Sequence, residues 1–144
     1  MHSSVLLPII FAFAGSLAAC SGQPPAPASH PLAGAWRTSP EDLPYSGPIP
    51  NLKQVAINLR LSAEGTGHWK PYYVTDGMHL PSSDDDGQKL RWHEAEGAIT
   101  FESADTPAST CRGRASPDKL ELEVAGCAFL AKLVSLPNVT FARL

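Results

Sequence analysis

Cys20 is the residue of this sequence whose setting most clearly predicts chemistry. It follows Leu-Ala-Ala at positions 17–19 and ends a run, Val5–Ala19, that contains no charged residue. That run is shorter than the roughly 20 apolar residues of a membrane-spanning helix, and its length is typical of the apolar region of a secretory signal peptide. Small residues before a cysteine fit a narrow peptidase site, and a thiolate is the nucleophile that accepts a lipid.

Residues 17–20 resemble the lipobox of bacterial lipoproteins. In that family the cysteine thiol receives a diacylglycerol, the signal peptide is cut before the cysteine, and the new amine is acylated with a chain such as palmitate. The resemblance implies a signal peptide over 1–19 and a membrane anchor on Cys20. Ser21 stands where Asp would retain a lipoprotein at the inner membrane, so the outer membrane, facing the periplasm, is expected. An ordinary cleaved signal peptide with an incidental Cys20 is the alternative.

The segment that follows the anchor predicts a tether. Residues 20–31 are rich in Pro, Ala and Ser and have no apolar periodicity. Such a composition cannot bury enough apolar surface to fold and favours extended, polyproline-like chain. One domain is then expected over 32–144. The formal net charge is -3 without a basic run, so nucleic-acid binding is not expected, because neutralising phosphates needs clustered Lys and Arg. A monomer is expected.

Cys111 and Cys127 remain after Cys20 is assigned to the lipid. In an oxidising compartment a disulfide between them is the favoured interpretation, and it would close a loop of about 15 residues. Two free thiols or a metal site are the alternatives. The sequence has no Cys-x-x-Cys pair and no His at ligand spacing from these cysteines, so no metal is predicted.

Other polar residues give weaker signals of chemistry. His68 and His93 lie on predicted strands, and a solvent-facing position is favoured for both over an acid–base or metal-binding role. Asp84–Gly87 has consecutive acidic residues rather than the alternating ligands of an EF-hand calcium loop, so it predicts a polar hairpin tip. Neither a Gly-x-Ser-x-Gly elbow nor a phosphate-binding glycine loop occurs. Neither an enzyme nor a cofactor is expected.

Alternation of apolar and polar residues is the dominant pattern of the domain and predicts β-strands. Turn-forming residues separate the alternating segments, and Ala128–Val134, the best helical candidate, is equally compatible with a strand. Several short strands joined as successive hairpins predict an all-β protein, a small up-and-down antiparallel barrel of about eight strands. The predicted strands cover residues 32–37, 55–61, 68–74, 90–93, 99–101, 120–124 and 139–143.

The pair Gly34-x-Trp36 in the first strand resembles the opening strand of lipocalins and other calycin-type barrels. In those folds the Trp closes one barrel end and stacks against an Arg of the last strand. Arg143 shares a strand face with Val139 and Phe141, so it should point inward, where a Trp face would offset the cost of its burial. The resemblance is to small lipocalin-like lipoproteins of bacteria and implies that Gly34, Trp36 and Arg143 close the barrel.

Two functions compete for such a domain. The first is binding of a small apolar ligand by an interior lined with Trp69, Tyr73, Trp92 and Phe101. The second is protein binding, as in a periplasmic hydrolase inhibitor or an immunity lipoprotein. A filled interior with an exposed, Pro- and aromatic-rich loop such as Pro40–Pro50 favours protein binding, whereas an open apolar cavity favours a ligand. A filled barrel is predicted, because a short chain encloses little space.

Overall fold

A computed structural model describes residues 30–81, 88–103 and 109–144 of the chain. The predicted signal peptide, most of the tether and the Asp84–Gly87 tip lie outside these described residues. Within them, no helix has the length and the hydropathy needed to cross a membrane. The elements are β1 Gly34–Thr38, β2 Leu43–Pro44, β3 Gln54–Leu61, β4 Thr66–Thr75, β5 Met78–Pro81, β6 Gln88–Ala95, β7 Ala98–Ser103, β8 Thr110–Ser116, β9 Lys119–Glu123, α1 Ala128–Ala131 and β10 Asn138–Arg143.

Eight of the strands form one closed barrel. Following the hydrogen bonds around the wall gives the order β1, β3, β4, β6, β7, β8, β9 and β10, and β10 pairs again with β1. Every pairing is antiparallel. The predicted all-β, up-and-down barrel is therefore confirmed. The two remaining strands, β2 and β5, extend the sheet beside β3 and β4 at one end of the barrel.

Two of the hairpins turn on an acidic residue followed by glycine. Asp76 and Gly77 connect β4 to β5 with φ angles of 50° and 77°, and Glu96 and Gly97 connect β6 to β7 with φ angles of 54° and 81°. Positive φ at both central residues is the requirement of a type I′ turn, whose twist matches that of the flanking strands. The side chain of Glu94 also accepts a hydrogen bond from the Gly97 N–H at 2.6 Å.

β4 changes its partner halfway along its length. One edge pairs with β3 throughout, while the other pairs with β6 over Thr66–Trp69 and with β5 over Tyr72–Thr75. Pro71, which has no N–H to donate, lies between these two ladders. Within the described residues, β4 pairs with β6 as far as Trp69 and Gln88, and β5 takes the same edge of β4 beyond Pro71.

The core consists of the inward-facing side chains of the barrel strands together with residues of α1 and the segment after it. Alternation places one residue in two inside, as predicted for β3, β9 and β10. β8 differs, because its inward positions are Cys111, Gly113 and Ala115. A Cβ at Gly113 would collide with the backbone carbonyl of Glu121. The largest fully buried side chains are Trp36, Phe101, Phe141, Ile57, Leu59, Ile99, Leu120, Leu122, Leu130, Val55, Val134 and Val139.

Candidate functional site

The two ends of the barrel are built differently, and each is named here by its connections. At the tight end, short turns at residues 62–65, 96–97 and 117–118 join the strands. At the loop end lie the longer segments 39–53, 76–81 and 124–137, which include β2, β5 and α1. The chain enters the barrel at the tight end, at Gly34. Binding residues are commonly carried by long connections on a rigid scaffold, so the loop end is the first place to look for a site.

Trp36 and Arg143 meet at the tight end, in the arrangement that the resemblance to calycin-type barrels implies. The indole of Trp36 is fully buried, and its Nε1 donates a hydrogen bond to the carbonyl oxygen of Leu32 at 3.0 Å. The Arg143 guanidinium carbon lies 4.9 Å from the centroid of the Trp36 ring. Gly34, at φ 140°, passes beside the same guanidinium: a Cβ there would lie 3.7 Å from Arg143 Nη2.

Arg143 lies at the rim of the barrel and is exposed, not inside the core. It does share a strand face with Val139 and Phe141, which are buried, but it is the last residue of β10. Its Nη2 donates hydrogen bonds to the carbonyl oxygens of Pro31 at 2.6 Å and Ala33 at 2.9 Å. The guanidinium therefore keeps its solvation while covering the indole, which removes the cost of burying a charge.

The segment before β1 crosses the tight end. Leu32 is buried, and the His30 ring packs edge-on against the Trp92 ring with centroids 4.7 Å apart. The Trp92 Nε1–H points at the carbonyl oxygens of Ser62 and Thr66, each at 3.1 Å. Two indoles and the segment from His30 to Leu32 thus cover this end.

The four aromatic residues predicted to line a ligand site are not gathered at one place. Trp69, Trp92 and Phe101 are buried in the core, and Tyr73 is half-buried. Trp92 belongs to the tight end, whereas Trp69 stacks on Phe129 of α1 with ring centroids 4.0 Å apart and 11° between planes. The Trp69 Nε1–H donates to Gln88 Oε1 at 3.1 Å. These rings fill space between described elements, so they act as packing residues in this structure.

Cys111 and Cys127 form the predicted disulfide, which is thus confirmed. It joins the start of β8 to the residue before α1, and its Cα atoms lie 4.4 Å apart. Beside it, the Ala128 N–H donates to the hydroxyl of Ser109, which is buried, at 3.0 Å. The bond fixes the position of α1, which is only four residues long and could not hold itself in place.

α1 and the segment after it close much of the loop end. Leu130, Leu133 and Val134 are buried in the core. The backbone N–H of Ser46 donates to the Leu133 carbonyl oxygen at 2.9 Å, and this hydrogen bond holds the segment after β2 against the segment after α1. The prediction of a helix or strand over Ala128–Val134 is resolved in favour of the helix, over its first four residues.

The loop end also carries the exposed apolar surface of the molecule. Three of the four large hydrophobic side chains that are exposed in the described residues lie there: Met78 at 58%, Leu80 at 46% and Ile49 at 41%. Leu80 pairs across strands with Tyr73, and the Tyr73 ring meets the Tyr45 ring at 5.8 Å. The Ile49 N–H donates to the Tyr45 hydroxyl at 3.2 Å. We call these five residues the β5 patch.

Polar contacts hold β5 on the opposite face. His79 Nε2 lies 2.7 Å from Asp42 Oδ1 and 3.6 Å from Glu41 Oε1. Glu41 in turn pairs with Arg37 at 2.7 Å, and Arg37 Nε donates to Asn58 Oδ1 at 2.8 Å. These polar contacts run along the outside of the barrel wall, on the face of β5 that carries His79. They do not cover the opposite, apolar face of β5, which carries Met78 and Leu80.

The remaining polar candidates lie apart from one another on the outer surface. His68 and His93 are exposed strand residues, on β4 and β6 respectively. In the described part of the chain, no group of three or more His, Cys, Asp or Glu side chains is placed to hold a metal ion. The Asp84–Gly87 tip lies outside the described residues.

β5 was not among the predicted strands, although Tyr73, which lies beside it, and the Pro40–Pro50 loop were predicted to take part in binding. The signal that points to it is Asp76–Gly77, the dipeptide most typical of a two-residue hairpin, followed by Met78 and Leu80 in alternation. The structure thus defines a class: a small, closed, eight-stranded antiparallel barrel with an added edge strand. Comparisons with protein-family models, with curated proteins and with solved structures found no match to this chain.

Proposed function

We propose that this chain is a non-enzymatic, lipid-anchored protein of the bacterial cell envelope whose lipocalin-like barrel binds another protein through the β5 patch. The observation that carries the proposal is the exposure of Met78 and Leu80 on a strand at the edge of the described sheet. Contiguous apolar surface at an edge costs solubility and invites aggregation unless a partner covers it.

Edge position adds a second means of recognition. β5 pairs with β4 on one side, and it ends the strand order on the other. An extended segment of a partner can add to such an edge by main-chain hydrogen bonds, while alternate side chains enter apolar contacts. The half-buried tyrosines Tyr45 and Tyr73 suit this role, because a tyrosine presents an apolar ring and a hydroxyl at one place.

The packing of the interior supports a protein partner over a small apolar ligand. The inward side chains of all eight barrel strands belong to one buried cluster that continues into α1. Trp69, which was expected to line a ligand cavity, is covered by Phe129, and its ring centroid lies 5.9 Å from that of Phe101. A ligand of drug size needs a cleft of about 300–1,000 Å³, and such a ligand would have to displace these rings.

The proposed location at a membrane depends on Cys20 and on the lipobox-like residues before it. A lipid there would hold the chain on a membrane, and the Gly34, Trp36 and Arg143 arrangement supports the lipocalin-like assignment of the barrel. The outer membrane, facing the periplasm, is the proposed location, because Ser21 follows the cysteine.

Capture of partners by the full-length tagged chain from detergent-solubilised envelopes tests the proposal. Leu80→Glu places a charge in the centre of the β5 patch and should weaken capture at least 30-fold, the effect of losing a central interface residue worth about 2 kcal/mol. Leu144→Glu is the matched control, because Leu144 is 70% exposed at the tight end. Equal capture by both variants would contradict the proposal, and a small apolar molecule in native mass spectra of the purified protein would favour the ligand carrier instead.

A further inference from the structure

A group of cationic side chains occupies one side of the barrel. Arg60 on β3 pairs across strands with His68 on β4, and His68 pairs with Lys89 on β6. These three therefore stand in one row across the outer face. Arg91 lies two residues further along β6, toward the tight end, where it pairs with Thr66. Three of these four side chains, those of Arg60, Lys89 and Arg91, carry a full positive charge, and we call the three together with His68 the cationic wall.

The cationic wall has an excess of positive charge. None of its four residues forms an ion pair with any residue in the described part of the chain. Arg91 faces one carboxylate across strands, that of Glu102 on β7, whereas Arg60, His68 and Lys89 lie beside one another. Like charges on neighbouring strands repel each other. In a chain of net charge -3, this local excess of positive charge favours an anionic partner.

The wall lines a shallow groove of about 640 Å³ that also contains main chain and hydroxyl groups. Gly34, Gly67 and Thr66 contribute to it, and no Asp or Glu is among its lining residues. Gly67 lies between Leu61 and Leu90, which are buried, so it adds only main chain to the groove. The charged side chains that line the groove are all basic, which suits an anionic surface.

The place where the tether joins the barrel indicates which kind of anionic surface the cationic wall meets. Arg143 holds the carbonyl oxygen of Pro31, and His30 packs on Trp92 and lies 3.9 Å from Glu94, both on β6. The chain thus reaches the barrel at the tight end, on the strand that carries Lys89 and Arg91. His30 lies ten positions after Cys20, and such a length spans at most about 35 Å. A lipid on Cys20 would keep the cationic wall close to the membrane.

We propose that the cationic wall docks on the anionic phospholipids of the membrane that holds the anchor. This inference rests on the proposed lipidation of Cys20. The tether raises the effective concentration of the surface, so that a weak electrostatic contact suffices to orient the barrel. Each Arg or Lys near an anionic bilayer contributes to binding, and the attraction decays within a Debye length. Docking fixes the loop end, and with it the β5 patch, in a defined orientation to the bilayer.

Vesicle sedimentation of the chain from residue 20 with Cys20→Ser tests the wall without the lipid. This chain keeps every residue of the barrel, which begins at Gly34. We expect it to bind vesicles of phosphatidylglycerol and phosphatidylethanolamine, to ignore phosphatidylcholine vesicles, and to dissociate at high salt. Arg60→Gln with Arg91→Gln should weaken binding about 10- to 30-fold, from the loss of two cationic contacts.

Arg112→Gln with Arg114→Gln is the matched control, because it removes the same charge from two exposed arginines of β8, which β7 separates from the cationic wall. Equal weakening by both double variants would overturn the proposal, as would equal binding to phosphatidylcholine. Binding of a polyglutamate peptide but not of vesicles, dependent on Arg60 and Arg91, would replace it with an acidic protein partner. Mass spectrometry of Cys20 from cells tests its lipidation separately. Absence of the lipid and failure of the cationic wall to bind vesicles are therefore distinguishable.

Discussion

The core of the barrel is covered in different ways at the tight end and at the loop end. At the tight end, short turns bring the strands together and two indoles, Trp36 and Trp92, cover the core with their N–H groups bonded to carbonyl oxygens. At the loop end, a four-residue helix held by a disulfide plugs the core, and an added strand projects with its apolar side chains exposed.

On the proposed function, this difference separates stability from recognition within one small domain. The residues of the tight end are buried and hydrogen-bonded, so changing them should lower the free energy of unfolding. The exposed residues of the β5 patch bury little surface, so changing them should alter binding and leave stability nearly unchanged. The predictions below test that division, from the largest expected effect to the smallest.

Replacement of Trp36 should produce the largest loss of stability. Trp36→Ala removes a fully buried indole together with the surface that Arg143 covers, and we expect unfolding to become easier by about 3–5 kcal/mol. Urea denaturation of the purified domain measures this change. A loss below about 1 kcal/mol would mean that the tight end does not depend on the indole.

Removal of the disulfide should have the next largest effect. Cys111→Ser with Cys127→Ser opens a 16-residue separation in sequence and should cost about 3 kcal/mol in the free energy of unfolding. Because the bond holds α1, hydrogen exchange should speed up first over residues 124–137. Uniformly faster exchange across the barrel would contradict a local role for the bond.

Arg143 should contribute less than either. Arg143→Gln removes the cation over the Trp36 ring and should cost about 1–2 kcal/mol, while Arg143→Lys should recover part of that loss through the retained charge. The lysine variant should still bond fewer of the carbonyl oxygens of Pro31 and Ala33, because it lacks the forked guanidinium. Thermal unfolding of the three proteins ranks them, and identical melting temperatures would rule out the contact as a source of stability.

The exposed side chains of the β5 patch should contribute almost nothing to stability. Leu80→Ala and Met78→Ala each change an exposed side chain, so the free energy of unfolding should stay within about 0.5 kcal/mol of the parent. A larger loss in urea denaturation would show that these side chains pack against part of the chain and are not available to a partner.

How far the sequence predicts the fold depends on how each strand is buried. β3, β9 and β10 alternate over most of their length because one face is inside, so their pattern predicts strands; the departures are Ala56, which is buried, and Arg143, which is exposed. β8 was missed because its inward residues, Cys111, Gly113 and Ala115, are small and give no apolar alternation. β2 and β5 were missed because they are short, and every residue of β5 is exposed.

The candidate site was less predictable than the fold, for a physical reason. Burial of Trp69, Trp92 and Phe101 follows from strand alternation, but whether such rings line a cavity or fill a core depends on which elements cover them. Phe129 covers Trp69, and it does so from a segment far along the chain. The exposure of Met78 and Leu80 likewise depends on which elements lie beside β5, and no local pattern reveals this.

Site-specific photocrosslinking in intact cells tests the central claim most directly. A photoreactive amino acid replaces Leu80 in the full-length chain, and in a matched strain it replaces Leu144 at the tight end. The account predicts a discrete crosslinked protein of higher mass from position 80 and none of that mass from position 144. Absence of a crosslink from position 80, or the same product from both positions, would contradict the assignment of the β5 patch as a protein-binding surface.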